Sequence, residues 1–152
     1  MRLALFVLIG CSQTSSATLQ NEKPVAPTTP PPMAAPEPSP ALVAQITQGK
    51  QLYVQTCAEC HGATLEGTGD GPALAGKHVL PLEPRADSKR GMQFRTAGDV
   101  YAFAAQNMPA DDPGSLAPEQ YQAIIAFVLG ANGVRIERPF DTASAQTIAL
   151  RQ

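Results

Sequence analysis

Two cysteines and a histidine within five residues, Cys57-Ala58-Glu59-Cys60-His61, constrain this chain more than any other feature of its sequence. Thiols three positions apart share one turn of helix, and the C-x-x-C-H spacing reads as an attachment site for a haem of the c type. Each thiol can form a thioether to one vinyl group on the haem edge, and His61 then falls beneath the iron as its proximal ligand. Other uses of the same residues fit poorly. A thioredoxin-like redox pair needs a strand ahead of the first cysteine, and no strand pattern precedes Cys57. A zinc site would have to use Cys57, His78 and the adjacent Cys60 and His61 on one tetrahedral ion. A Cys57–Cys60 disulfide closes too short a loop to stabilise much.

The rest of the chain is consistent with a domain built around something bulky. Its 152 residues allow one domain of about 100 residues plus attachments. Aromatic residues make up 5% and tryptophan is absent, so the protein core alone would be thin. A formal net charge of -2, with both signs interspersed, leaves no basic stripe and excludes nucleic acid as a partner. Helical spacing of Leu42, Val43, Ile46, Leu52 and Tyr53 predicts a first helix from Leu42 to about Thr56. Thr96 and Asp99 mark the start of a second, with Val100 and Phe103 on one face and an end before Pro109. Pro118 and Glu119 open a third, carrying Tyr121, Ile124, Ile125, Phe127 and Val128 and ending before Gly130 and the Asn132-Gly133 turn. Between the first two lies Gly62 to Gly91, rich in Gly and Pro, a loop long enough to need something to wrap around.

The N-terminus reads as a targeting segment. Met1-Arg2 supplies a positive charge, and Leu3 to Ile9 is an apolar run far short of the roughly 20 residues a membrane-spanning helix requires. Leu8-Ile9-Gly10-Cys11 resembles the lipobox of bacterial lipoproteins, which makes residues 1–10 a signal peptide and Cys11 the lipidated first residue of the mature chain. An ordinary secretory signal cleaved among Ser15, Ser16 and Ala17 exports the chain equally. Pro24 to Pro40 then holds eight of the 15 prolines and has no hydrophobic period. Residues 11–41 are therefore expected to be a linker, extended to about 50 Å across the Pro-rich part if it adopts polyproline II.

An iron held by His61 on one side needs a ligand on the other, for which Met33, Met92, Met108 and His78 are candidates. Met33 lies in the linker. Met108 directly follows the second helix and precedes Pro109, with Asp111-Asp112-Pro113-Gly114 completing a constrained loop, and is the expected ligand. A histidine–methionine pair favours ferrous iron and raises the potential relative to two histidines.

From Gly49 to Gly133 the chain resembles a class I cytochrome c. The resemblance implies an all-α fold, three main helices and long loops wrapped around one covalently bound haem. It implies that Gly49 and Tyr53 face Ile124 and Phe127 at a close helix crossing. In Gly71-Pro72-Ala73-Leu74 it implies that the Pro72 carbonyl accepts the N–H of His61 and that Leu74 packs on the haem. The segments Asn107-Met108-Pro109, Pro113-Gly114-Ser115-Leu116 and Ala131-Asn132-Gly133 are more narrowly similar to cytochromes that accompany periplasmic quinoprotein dehydrogenases. The expected cytochrome domain covers 42–138, followed by a tail at 139–152 with a short helix over Ala143 to Ala149. The resemblance assigns no place to Leu80 to Phe94, with Arg85, Lys89 and Arg90. What it implies is an electron carrier and not an enzyme, exported and lipid-anchored. Its partners would be a quinoprotein dehydrogenase, a cytochrome bc complex or a terminal oxidase. A gas-binding or peroxidatic haem protein, with Met108 off the iron, and a structural lipoprotein are the readings from other classes.

Overall fold

The computed structural model describes residues 37–77, 79–80, 83–84 and 90–150. Cys11, Met33, His78, Arg85 and Lys89, with the expected signal peptide and most of the linker, lie outside the described residues. Among the described residues the regular structure is helical: α1 Pro40–Thr56, α2 Ala58–His61, α3 Ala97–Asn107, α4 Pro118–Ala131 and α5 Thr142–Ala145. The sole strand-like feature there is one antiparallel bridge between Thr96 and Ala149.

α1 starts two residues before the expected Leu42, because the Ser39 side chain accepts the N–H of Leu42 at 3.2 Å and Pro40 occupies the first turn, where its missing N–H costs nothing. Its buried stripe is Leu42, Gly49 and Tyr53, with Ile46 half-buried between them. Val43, placed on that face by spacing alone, is 49% exposed. α3 starts as its sequence announces: the Thr96 hydroxyl accepts from the N–H of Asp99 at 3.3 Å, and the Asp99 carboxylate takes the N–H of Thr96 at 2.8 Å. α4 passes through Gly130 to Ala131. There the Asn132 N–H reaches the Val128 and Leu129 carbonyls, and Gly133 turns the chain away at φ +71°.

The α1–α4 crossing organises the packing. A Cβ built on Gly49 would lie 1.8 Å from the carbonyl oxygen of Ala123, so the two backbones touch where only glycine fits. One turn on, the Tyr53 ring meets Phe127 with centroids 5.5 Å apart. Tyr53, Leu65, Ile124 and Val128 form one apolar cluster, which Cys57, Ala58, Leu74 and Leu116 flank. A second cluster joins α3, α4 and α5 through Phe94, Ala97, Val100, Ile125, Leu129, Phe140 and Ala145.

The compact unit extends from Ala35 to the C-terminus and so includes the segment set apart above as a tail. The Gln45 side chain donates to the Phe140 carbonyl at 2.8 Å and accepts the Phe140 N–H at 2.7 Å, while the Phe140 ring is 1% exposed. The expected helix over Ala143 to Ala149 is only α5. Beyond it the backbone extends to pair with the entrance of α3, Ala97 N–H to Ile148 carbonyl and Leu150 N–H to Arg95 carbonyl, both at 2.9 Å.

Two consequences can be measured. Gly49→Ala should destabilise the domain by about 2 kcal/mol or more through overpacking, lowering Tm by about 10 °C in a thermal melt. Thr96→Ala should cost about 1 kcal/mol. Burial pushes the Asp99 carboxyl up, but hydrogen bonds from the N–H groups of Thr96 and Arg95 outweigh it, and the net position is below the usual aspartate range. The stabilisation from ionised Asp99 is therefore complete above the ordinary value of about 3.9 and disappears as pH falls through its lowered native value. Asp99→Asn should flatten acid unfolding in that window.

Candidate functional site

α1 stops at Cys57, whose N–H still bonds the Tyr53 carbonyl at 2.8 Å, and a separate helical turn begins there. The His61 N–H returns to the Cys57 carbonyl at 2.9 Å, so Cys57, Cys60 and His61 stand on one turn. Both cysteines are free thiols. Burial pushes the Cys57 thiol up and Cys60 adds to the rise, against the opposing effect of the Thr56 hydroxyl 3.3 Å away. Among the described residues no three His, Cys, Asp or Glu side chains group as metal ligands.

His61 is 8% exposed, and its Nδ1 lies 2.7 Å from the Pro72 carbonyl oxygen. A carbonyl can only accept, so Nδ1 carries the proton and Nε2 keeps its lone pair for a metal. The loop from 62 to 75 is folded back to make this contact. The Leu65 carbonyl accepts from the N–H groups of Leu74 at 2.8 Å and Ala75 at 3.2 Å, with Leu65 itself at φ +69° and buried. Leu74 packs against the cluster that also receives Cys57 and Ala58. Asn132 of α4 fastens the far end of the loop, donating to the Leu74 carbonyl at 2.7 Å and accepting the Gly76 N–H at 3.3 Å.

The three carbonyls that close the His61 turn each take a donor. Thr68 Oγ1 donates to the Cys60 carbonyl at 2.6 Å, the Gly67 N–H to His61 at 2.7 Å, and the Tyr53 hydroxyl to Gly62 at 2.6 Å. Gly62 has φ +80°, and a Cβ there would meet the Glu66 carboxylate at 2.3 Å. That carboxylate is kept below its usual range by its own N–H and that of Thr64. Burial pushes the Tyr53 phenol up to about 12, helped by Cys57 and Glu66, so it remains a donor at ordinary pH.

Met108 stands on a different segment, as the residue that ends α3. Its N–H bonds the Ala104 carbonyl at 2.9 Å, its own carbonyl takes the Tyr121 hydroxyl at 2.5 Å, and its peptide to Pro109 is cis. The loop that follows returns through Leu116 to the same apolar cluster that carries Cys57 and Leu74. The structure thus brings together Cys57, Cys60, His61, Pro72 and Leu74, while Met108 is held from α4 and not by that turn. Met92 packs on the other cluster. Arg90, in the unassigned stretch, is 7% exposed and lies with its guanidinium 3.9 Å over the Phe94 ring. Asn132, Thr68 and the hydroxyls of Tyr53 and Tyr121 are contributors that spacing does not single out, since each acts on the backbone of a distant segment.

Two free thiols one turn apart and an imidazole with a fixed tautomer form the donor set a haem c requires. Cys57 and Cys60 would hold the ring by thioethers, and His61 Nε2 would meet the iron. A family model described as cytochrome C oxidase, cbb3-type, subunit III matches residues 44–128, more than half of the chain. No curated protein matches. A solved structure of the sulfane dehydrogenase SoxCD from Paracoccus pantotrophus is similar, with a TM-score of 0.53 and 28% identity over 69% of this chain and 52% of that one. This chain therefore spans about half the length of that structure's chain. The family match covers the whole Cys57–His61 turn and most of both helices of the crossing behind it: this chain belongs to the c-type cytochrome family described as cbb3-type cytochrome c oxidase subunit III, all-α domains with covalently bound haem c that serve in electron transfer.

Proposed function

We propose that this chain is a membrane-tethered, mono-haem electron carrier working outside the cytoplasm, with His61 and Met108 as its two iron ligands. The observation that carries the reading is the 2.7 Å contact between His61 Nδ1 and the Pro72 carbonyl, beside two free thiols on the same turn. When bound, the haem supplies a one-electron ferric/ferrous couple. His61 keeps one ring nitrogen directed to iron because the other is spent on Pro72. Met108, tied at both its N–H and its carbonyl, would close the opposite position to substrates, which favours a carrier over a catalyst. Transfer is then outer-sphere through the thioether edge, and the protein contributes potential, orientation and a docking surface.

The partners follow from the same reading. Likeness to a chain of a sulfane dehydrogenase supports a dehydrogenase as donor, with a quinoprotein dehydrogenase or a cytochrome bc complex filling that place here. The family description supports a terminal oxidase as acceptor. Residues 1–10 act as signal peptide, Cys11 carries the lipid, and the tether runs from Cys11 to the start of α1 at Pro40. No described helix is long and apolar enough to cross a membrane, so within the described residues the anchoring falls to no helix.

The test is the absorption spectrum of the exported protein, oxidised and reduced, with a haem stain on a denaturing gel. Haem that survives denaturation, a sharp band on reduction and a ferric thioether band are expected; a colourless protein made alongside working attachment machinery sinks the reading. Cys57→Ala or Cys60→Ala should impair attachment. Met108→Ala should leave haem attached, lower the potential and let carbon monoxide bind the reduced protein, and an unchanged thioether band would remove Met108 from the iron. Cys11→Ser should move the protein from the membrane to the soluble fraction, with a matching loss of lipid mass in the intact-mass spectrum.

A further inference from the structure

The two segments that bear the proposed iron ligands are each fastened by a tyrosine hydroxyl, and the two tyrosines sit on the two helices of the central crossing. Tyr53 of α1 is fully buried and donates to the Gly62 carbonyl, one residue beyond His61, at 2.6 Å. Tyr121 of α4 is 5% exposed and donates to the carbonyl of Met108 itself at 2.5 Å. A phenylalanine would fill either place without the cost of desolvating a hydroxyl, so what each phenol adds is the bond.

Neither phenol is free to follow its carbonyl. The Tyr53 ring is packed on Phe127 of α4, one turn from the backbone contact between Gly49 and Ala123. Tyr121 is two residues before Ala123 on the same helix. Both bonds therefore originate within about one turn of the backbone contact between Gly49 and Ala123, and reach outward to the two ligand segments. We propose that Tyr53 and Tyr121 are paired positioning residues that transmit the geometry of the α1–α4 crossing to the two sides of the iron, a role that rests on the His61 and Met108 reading above. Tyr53, buried beside the proximal turn, spends its hydroxyl on the Gly62 carbonyl and so fixes the backbone next to His61, which disfavours the ferric charge. Tyr121 keeps Met108 from swinging away and admitting another ligand.

The test uses the full-length holoprotein with Tyr53→Phe, Tyr121→Phe and, as a control, Tyr101→Phe, whose ring packs on Phe140 away from both segments. Tyr53→Phe should retain the thioether band but lower the ratio of reduced to oxidised haem about threefold against a fixed redox dye, roughly 28 mV at 59 mV per tenfold for one electron. Tyr121→Phe should weaken the thioether band and tighten cyanide binding to the ferric protein about fivefold. Tyr101→Phe should change neither reading. In the unmutated protein the hydroxyl protons of Tyr53 and Tyr121 should exchange slowly enough to be seen by NMR, a readout that needs no variant to fold. Wild-type potential and cyanide affinity in both variants, or fast exchange of both hydroxyl protons, overturns the proposal even if stability falls. A wild-type spectrum without a thioether band removes Met108 and the Tyr121 half with it, leaving Tyr53 to be judged on its own. A wild-type protein without covalent haem overturns both the proposal and the carrier reading.

Discussion

Everything in this domain is referred to the contact of two backbones at Gly49 and Ala123. Removing one side chain there lets α1 and α4 approach until their peptide groups touch, closer than any pair of side chains would allow. The aromatic contact of Tyr53 with Phe127, the burial of Leu42 and Ile124, and the cluster that receives the Cys57 turn all follow from that approach. α3 is added to this pair through α4, and the C-terminal segment through α3. The order matters for function. The proximal turn begins where α1 ends, and the Met108 segment is held by α4, so both parts of the site derive their positions from one crossing.

A short helix such as α2 has little stability of its own, since nucleating a single turn is costly and its end groups lack partners. Here the missing partners come from three places: a hydroxyl on the following loop, an N–H on that loop and a phenol on the preceding helix. The loop is in turn closed on itself at Leu65 and tied to α4 by Asn132. His61 thus sits in a frame whose carbonyls at Cys60, His61 and Gly62 and whose ring Nδ1 are hydrogen-bonded before any cofactor is considered. Such a frame limits the movement of the ring when the charge on a bound iron changes, which is the property electron transfer rewards.

Much of this was legible in the sequence because it rests on strong local chemistry. The C-x-x-C-H spacing, the Thr96–Asp99 box and Pro118 each specify a conformation within a few residues, and α2, α3 and α4 begin where they indicate. Gly49, Tyr53 and Pro72 are indicated by family resemblance, and the Gly49–Ala123 contact, the Tyr53–Phe127 pair and the His61–Pro72 distance have the geometry it implies. What periodicity could not supply was the sense of a face. Val43 and Leu42 are both apolar neighbours, and only the direction of α4 decides that Leu42 is buried and Val43 exposed. Nor could composition show that the last segment belongs to the core. Phe140 is one apolar residue among polar ones, and its place is decided by Gln45, 95 positions away. Asn132, read as a turn residue, proves also to be a clamp on the Leu74 segment.

The pairing of Gln45 with Phe140 has a bearing on how the domain is attached to anything else. It ties the segment around Phe140 to the first turns of α1. The Cys57 turn lies at the other end of that helix, some 12 residues or about 18 Å along its axis. α1 therefore acts as a rigid spacer: a pull or a fusion applied where the chain enters α1 is delivered one helix-length from the Cys57 turn.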